Sequence, residues 1–372
     1  MKVGILGGGQ LGRMLLQAAI NYDVETYVLE NVDDCPAAHL CNYFIKGDIK
    51  DFETVYQFGK DLDVITIEIE SINIDALEKL ESKGIKIIPS SSAIRTIKNK
   101  ISQKQFFYQH QIPTSDFIVT KSLQDLKENL NFLPAVHKIA EGGYDGKGVV
   151  VLKDKTNYNN GFNHPAVLEK LVIIKKEIAV IIAVSQTKEI KTYPITEMIF
   201  DNKLNLLDYQ ISPASVTNDV KIHAENIAKK LVTAFDTPGI FAVEMFVTHD
   251  DKILVNEVAP RVHNSGHHTI EANYSSQFDM LWRIILNYPL GNTNSILPSA
   301  LINLVGEEKF SGIAKYNGLN EILKMNNAFV HLYGKKQTKP GRKMGHVTLL
   351  SNDVEELILL AHEVKSKLKV ES

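Results

Sequence analysis

Between residues 2 and 88, short apolar runs alternate with stretches of helical pattern, and that alternation limits the possible folds more than any other feature of the chain. KVGILG, ETYVLE, NYFIKG, DVITIEI and IKIIP read as strands, with helices such as Leu11 to Asn21 and Ile74 to Lys83 between them. A βαβ series returns each strand in the same direction, so the strands form a parallel sheet with helices on its faces. A helical segment from about Ser90 to Gln111 follows, and Pro113 stops it.

Beyond Pro113 the order changes. Strands PAVHKI, GVVVLK, AVLEKL and EIAVIIAV come first, then a helix around Val220 to Phe235, a hairpin, and a helix from Ser275 to Leu286. This order reads as α+β rather than doubly wound. Strands ALINLVG, NAFVHLYG and GHVTLL with a closing helix Val354 to Leu368 read as a small third domain. The expected divisions are therefore 1–95, 96–290 and 291–372. A chain of 372 residues, 44% hydrophobic, supports two or three cores at roughly 100 to 200 residues each.

Charge narrows the partners. Forty-one Lys and Arg against 44 Asp and Glu, with no basic tract, argue against a nucleic-acid ligand. The chain enters a strand at once, without a signal-peptide pattern, and the apolar run Ile178 to Val184 is too short to cross a bilayer. A cytoplasmic protein is expected, away from membranes, with Cys35 and Cys41 as reduced thiols.

Three motifs carry chemistry. Gly7, Gly9 and Gly12 match G-x-G-x-x-G after a strand, and Glu30 ends the next strand. Such a turn admits a dinucleotide, another phosphate such as that of a ribonucleotide, or no ligand. In FAVEMFVTHDDKILVNEV, a turn centred between Asp250 and Asp251 sets Glu244 opposite Glu257. Two facing carboxylates on an apolar hairpin are relieved by Mg²⁺ held with substrate phosphates, by a lysine or an arginine such as Arg261 on each, or by protonation of one. Finally, AEGGYDGKGVVVL (140–152) has Gly142, Gly143, Gly146 and Gly148 between two strands, with Lys138 before and Lys147 within. This reads as a hairpin flap closing over a triphosphate.

GGYDGKG, the glutamates 244 and 257, NEVAPRVHNSGH (256–267) and PGRKMGH (340–346) together resemble the N(5)-carboxyaminoimidazole ribonucleotide synthases, ATP-grasp ligases of purine biosynthesis. The likeness runs from GGGQLGRM through the third domain. It implies an ATP-grasp fold preceded by a Rossmann-like parallel-sheet domain and followed by a small C-terminal domain. It also implies ATP-dependent carboxylation of 5-aminoimidazole ribonucleotide by bicarbonate through carboxyphosphate, with ATP and Mg²⁺, in a homodimer.

By the same match, Lys100 and Lys138 contact the nucleotide phosphates and the flap Gly142, Gly143, Tyr144, Asp145, Gly146, Lys147 and Gly148 covers them. Glu169, Lys170 and Leu171 form the adenine-reading strand, and Glu177 takes the ribose. Glu244 and Glu257 hold the metal with Asn256 beside them, and Arg261 meets bicarbonate or carboxyphosphate, a planar oxyanion suited to a guanidinium. For the ribonucleotide, the resemblance implies Gln10 and Leu11 in the glycine turn with Lys335 and Arg342 around the 5′-phosphate, and Glu70 at the ribose. Tyr144, Asp145 and Lys147 would reach the aminoimidazole end, with Asp145 able to accept the amine proton and Lys138 counted with the catalytic groups.

Some positions depart from the family pattern. Lys100 stands where arginine is common, Ala140 and Glu141 where an Arg-Thr pair precedes the flap, Val149 where glutamine follows it, and Met198 and Phe200 where an Asn-x-His element is usual. His263, His267 and His268 lack zinc-site spacing and are expected as supporting or phosphate-side donors, and Trp282 as core. Two other readings remain open at this level: a different ATP-grasp carboxylating or formylating ligase, and a dinucleotide-dependent oxidoreductase or nucleotide-sensing binding module.

Overall fold

The computed structural model describes residues 1–143, 148–200 and 207–372. Its first sheet is built from β1 (Lys2–Leu6), β2 (Glu25–Glu30), β3 (Tyr43–Lys46), β4 (Val64–Ile67) and β5 (Lys86–Ile87), all parallel, in the order β3-β2-β1-β4-β5. All of β4 and four of the five residues of β1 are buried, as strands covered on both faces must be. The chain leaves β1 towards β2 and returns on its other side as β4, so the carboxyl end of β1 is a topological switch point, where such sheets bind ligands.

Helix Gln10–Ala19 starts at that point and buries Leu11, Met14, Leu15 and Leu16. Helix Gln277–Ile285 packs on it, and the fully buried Trp282 donates its indole N–H to the Leu15 carbonyl at 2.7 Å. This contact joins the beginning of the chain to the middle of it.

The single helix expected over 90–111 is two helices, Ser91–Lys98 and Lys100–Gln109. Asn99 between them has an extended backbone, and its side chain accepts the N–H groups of Ile101 and Ser102. A cap of this kind competes with continuous helix and wins here. The break makes Lys100 the first residue of a new helix.

Next comes an antiparallel sheet of β6 (Phe117–Thr120), β7 (Ala135–Ile139), β8 (Val149–Leu152) and β9 (Ala166–Lys170), ordered β6-β9-β7-β8. Lys138 pairs with Val149, so the glycine-rich loop springs from a β7-β8 hairpin as its sequence suggests. Gly142 and Gly148, at its two ends, have φ of 81° and 78°, which favours glycine.

The largest sheet contains β10 (Ile174–Val184), β11 (Ile190–Thr192), β12 (Thr196–Phe200), β13 (Leu207–Ser212), β14 (Gly239–Thr248) and β15 (Ile253–Ala259). Helix Asn218–Phe235 covers it. The last third of the chain supplies β16 (Ser299–Val305), the short β17 (Gly312–Ile313) and β18 (Lys315–Asn317), β19 (Ala328–Leu332), β20 (Gln337–Thr338), β21 (Lys343–Leu350) and β22 (Lys369–Glu371). Of these, β16, β21 and β19 continue the large sheet, in the order β15-β14-β10-β12-β13-β16-β21-β19. Helix Val354–Lys367 packs on β16 and β21 over a separate apolar cluster. The C-terminal region thus has its own core but shares its sheet. No described helix is long and apolar enough to cross a membrane.

Candidate active site

The hairpin β14-β15 sets Glu244 directly across from Glu257, as its sequence predicts. The route to that register differs from the expected one. Val247 pairs with Ile253, which centres the turn on Asp250, and Asp251 adopts φ 57°. A β-bulge opposite the Glu244/Met245 step then inserts Asn256 and restores the facing pair. Bulges re-aim side chains beside functional sites, and this one turns Asn256 to accept from Lys138 at 2.7 Å.

Cations converge on this pair. Lys100 Nζ lies 2.5 Å from Glu257 Oε2, and Lys138 Nζ reaches both Asn256 and, at 3.0 Å, Glu169. His263 Nδ1 stands 3.6 Å from Glu244. The charge of Lys100, against the pull of burial, holds Glu257 well below the usual carboxylate range. Burial, reinforced by Glu257, pushes Glu244 up. Glu177, paired across strands with Met198 and Phe246, is raised by burial to about 7. An opposed carboxylate pair with one member pushed towards protonation is a donor set that a hard cation relieves. Among the described residues no group of three His, Cys, Asp or Glu is arranged to hold a metal ion unaided. Mg²⁺ would complete its shell from phosphate and water, the usual arrangement for this ion.

Beneath Lys138 lies a buried ionic group that sequence reasoning missed. Glu169 is 3% exposed, with Lys138 on Oε1 at 3.0 Å and Lys104 on Oε2 at 2.9 Å, while Ser115 donates to Oε2 at 2.9 Å. Burial would raise this carboxyl, but the two lysines prevail and bring it to about 2. Lys104 is lowered by burial to about 8. Glu169 was expected with Lys170 and Leu171 to read adenine. Its side chain is committed to the lysines, Lys170 extends outward to the Phe132 carbonyl, and the exposed Leu171 follows the strand end, so the backbone there is what a base would meet. Lys104 is one helical turn after Lys100 on the same helix, the signal that could have found it.

The residues expected at the ribonucleotide are placed as follows. Arg261, which follows β15, pairs through Nε with Glu70 Oε1 at 2.9 Å and also donates to the Val262 carbonyl. The expected bicarbonate ligand and the expected ribose ligand are thus in direct contact. Gln10 opens the helix, whereas the side chain of Leu11 is buried in the core and can offer a ligand only its backbone. Lys335 donates to the Lys343 carbonyl at 2.7 Å and lies over the Tyr333 ring, and Arg342 donates to the Gln337 carbonyl. The loop carrying Lys335 abuts the first domain: a Cβ on Gly334 would stand 3.4 Å from the Arg13 guanidinium, and Lys336 pairs with Asp34 at 3.1 Å.

The histidines divide. His263 faces Glu244, whereas His267 and His268 are buried and held neutral by burial, among Gln210, Gln277 and Phe278. The latter two contact Gln277 and Gln210 through their Nδ1 atoms, in keeping with the supporting role expected of them. Tyr144, Asp145, Gly146 and Lys147 lie outside the described residues.

Comparison with known proteins identifies the family. Residues 1–98 match the ribonucleotide synthetase preATP-grasp domain family, 105–278 the ATP-grasp domain, and 299–359 the phosphoribosylaminoimidazole carboxylase C-terminal domain. The N5-carboxyaminoimidazole ribonucleotide synthase of Bacillus subtilis is 35% identical over 363 residues, covering 96% of this chain and 93% of that protein. The chain belongs to this family. It is an ATP-dependent carbon–nitrogen ligase with the ATP-grasp fold. The chain spans 65% of the length of another relative, the chloroplastic phosphoribosylaminoimidazole carboxylase of Vigna aconitifolia, at 34% identity over 95% of this chain. Among solved structures, the N5-carboxyaminoimidazole ribonucleotide synthetase of Thermotoga maritima has a TM-score of 0.93 at 38% identity, over 100% of this chain and 99% of that one. The Aspergillus clavatus family member, solved with ADP and 5-aminoimidazole ribonucleotide, has a TM-score of 0.87 at 34% identity, over 97% of this chain and 98% of that one.

Proposed function

We infer that this chain uses ATP and bicarbonate to carboxylate the amine of 5-aminoimidazole ribonucleotide, giving the N5-carboxy product, ADP and phosphate, in purine biosynthesis. The observation that carries the inference is the facing pair Glu244 and Glu257 with Lys100 and Lys138 converging on it, while Arg261, four residues on from Glu257, meets Glu70. One arrangement suits a metal-bound triphosphate and the other a pair of oxygen-rich substrates.

In this assignment Lys100 and Lys138 offset the phosphate charge and Asn256 keeps Lys138 in place. Glu177 faces the nucleotide ribose and the backbone of Glu169, Lys170 and Leu171 borders the base. Glu244 and Glu257 would hold Mg²⁺, whose charge, when bound, draws electrons from the phosphate oxygens. A bicarbonate oxygen attacks the γ-phosphorus and ADP leaves, forming carboxyphosphate. Breaking its C–O bond releases phosphate and CO2, and the amine nitrogen attacks that carbon and gives up one proton. Arg261 supplies a planar fork for the carboxyphosphate. Its partner Glu70 would meet the ribonucleotide ribose through the oxygen that Arg261 does not use. Lys335 and Arg342 supply charge for the 5′-phosphate, Gln10 and Leu11 supply N–H groups, and the flap residues Tyr144, Asp145 and Lys147 are assigned to the aminoimidazole end, with Asp145 taking the proton. A homodimer in the cytoplasm completes the reading, and the free thiols of Cys35 and Cys41 fit a reducing compartment.

The test is ADP release with Mg-ATP and bicarbonate, with and without 5-aminoimidazole ribonucleotide. A strong rise on adding the ribonucleotide is expected. No rise from folded, ATP-binding protein would point to a different acceptor.

A further inference from the structure

A glycine turn at a helix N-terminus is a natural seat for phosphate, yet in this protein one of its own side chains occupies it. Glu68, the residue after β4, is 8% exposed and accepts the Gly9 N–H at 2.7 Å through Oε1 and the Gly12 N–H at 2.8 Å through Oε2. Much of the glycine pattern follows from this carboxylate. A Cβ on Gly7, where φ is 101°, would stand 2.5 Å from Glu68 Cγ, and one on Gly9 would stand 2.7 Å from Oε1. Gly8 is closed off by Cys35 Sγ, 2.4 Å from where its Cβ would be, and donates its N–H to Glu30 at 3.0 Å. Both carboxylates beside the turn thus serve the turn itself.

The clamp leaves a particular remainder. Among the described residues, the N–H groups of Gln10 and Leu11, which open the helix and have no intrahelical acceptor, have no hydrogen-bond partner. Two residues beyond Glu68, Glu70 meets Arg261. We propose that Glu68 is a positioning residue for the ribonucleotide: by holding the amides of Gly9 and Gly12 it presents those of Gln10 and Leu11 to the 5′-phosphate, and by tying the end of β4 to the turn it sets Glu70 at the ribose. The proposal deepens the assignment above and rests on it. It also accounts for a G-x-G-x-x-G turn outside dinucleotide chemistry, since a pyrophosphate would have to displace a buried carboxylate from its two amides.

The charged groups facing Glu68 are Arg261, beyond β15, and Glu30, at the end of β2. Burial raises the carboxyl, and the amides of Gly12 and Gly9 with Arg261 oppose that rise. Acceptance of an N–H by each oxygen is the pattern of the ionised form.

Glu68→Gln keeps the shape of the side chain but turns an NH2 against one of the two amides. The expected result is a rise of about tenfold or more in KM for 5-aminoimidazole ribonucleotide, the loss of one charge-assisted hydrogen bond, with KM for ATP changed by less than about twofold. Gly9→Ala, which drives a methyl into the same carboxylate, should give the same selective rise. An unchanged KM for the ribonucleotide in folded Glu68→Gln overturns the proposal. Equal losses for both substrates with a lowered melting temperature overturn it too, leaving only a structural role. Calorimetric titration of the ribonucleotide into wild type and Glu68→Gln separates this inference from the functional one. If the wild type binds the ribonucleotide but does not turn it over, the function fails while a weaker Glu68→Gln complex still supports the clamp; equal affinities, or no binding to either protein, overturn it.

Discussion

Replacing Glu169 by glutamine tests the electrostatic logic beneath the ATP site. The side chain is 4% exposed and lies between Lys104, itself 3% exposed, and Lys138, 12% exposed. Its carboxyl is held at about 2 where 4.5 is the ordinary value, a difference equivalent to about 3 kcal/mol in favour of the charged form. Because the folded value is depressed, this contribution is present above pH ~4.5 and is lost as the pH falls towards 2. Glutamine removes the charge, leaving the buried ammonium of Lys104 without its counter-ion and Lys138 with Asn256 and the field of Glu257, a type of loss that costs about 3 to 5 kcal/mol. Urea unfolding at pH 7 should therefore show Glu169→Gln less stable by about 3 kcal/mol. At pH 9, above the value of about 8 to which burial lowers Lys104, that lysine is largely neutral and the loss should shrink. Adding Lys104→Met to Glu169→Gln should recover a large part of the deficit, since the surplus cation is gone. KM for ATP should rise in the single variant, because Lys138 loses one of its two anchors. A loss below about 1 kcal/mol that is equal at pH 7 and pH 9 would refute the reasoning and place Glu169 among groups whose charge is solvated.

Three further outcomes are expected. Glu257→Gln removes the partner of Lys100 and half of the opposed pair; ADP release should drop by roughly 100-fold or more, with calorimetric affinity for 5-aminoimidazole ribonucleotide nearly unchanged. Arg342→Ala should raise KM for that ribonucleotide by about tenfold, the scale of one charge-assisted contact, and leave KM for ATP alone; an unchanged value would count against a phosphate at this position. Trp282→Phe deletes the 2.7 Å bond to the Leu15 carbonyl inside the core and should destabilise the protein by about 2 kcal/mol in thermal or urea unfolding, through an orphaned acceptor and lost volume.

Much of the site was legible because its signals are local. The facing of Glu244 and Glu257 follows from counting along one hairpin, and the miscounted turn was cancelled by the bulge at Asn256. The β7-β8 hairpin around Lys138 could be read from glycines set between two strands. The break at Asn99 was missed because a capping asparagine looks, in one dimension, like any polar residue within a helix. Lys104 and Glu68 were missed for a different reason: both would be solvated in an isolated segment, and only burial against partners 65 and 56 residues away, Glu169 and Gly12, gives them a task.

Periodicity and side-chain chemistry along the chain were enough to determine the parallel first sheet, the carboxylate hairpin and the β7-β8 hairpin that carries the glycine-rich loop. These depend on interactions a few residues long, or on the repeating geometry of strands and helices. Tertiary structure alone decided that Glu68 would fill the helix N-terminus, that Arg261 would meet Glu70, and that the C-terminal strands would extend the large sheet instead of forming their own. Each of these is a pairing between distant segments, and its strength comes from removing charges and amides from water, which no stretch of sequence does by itself.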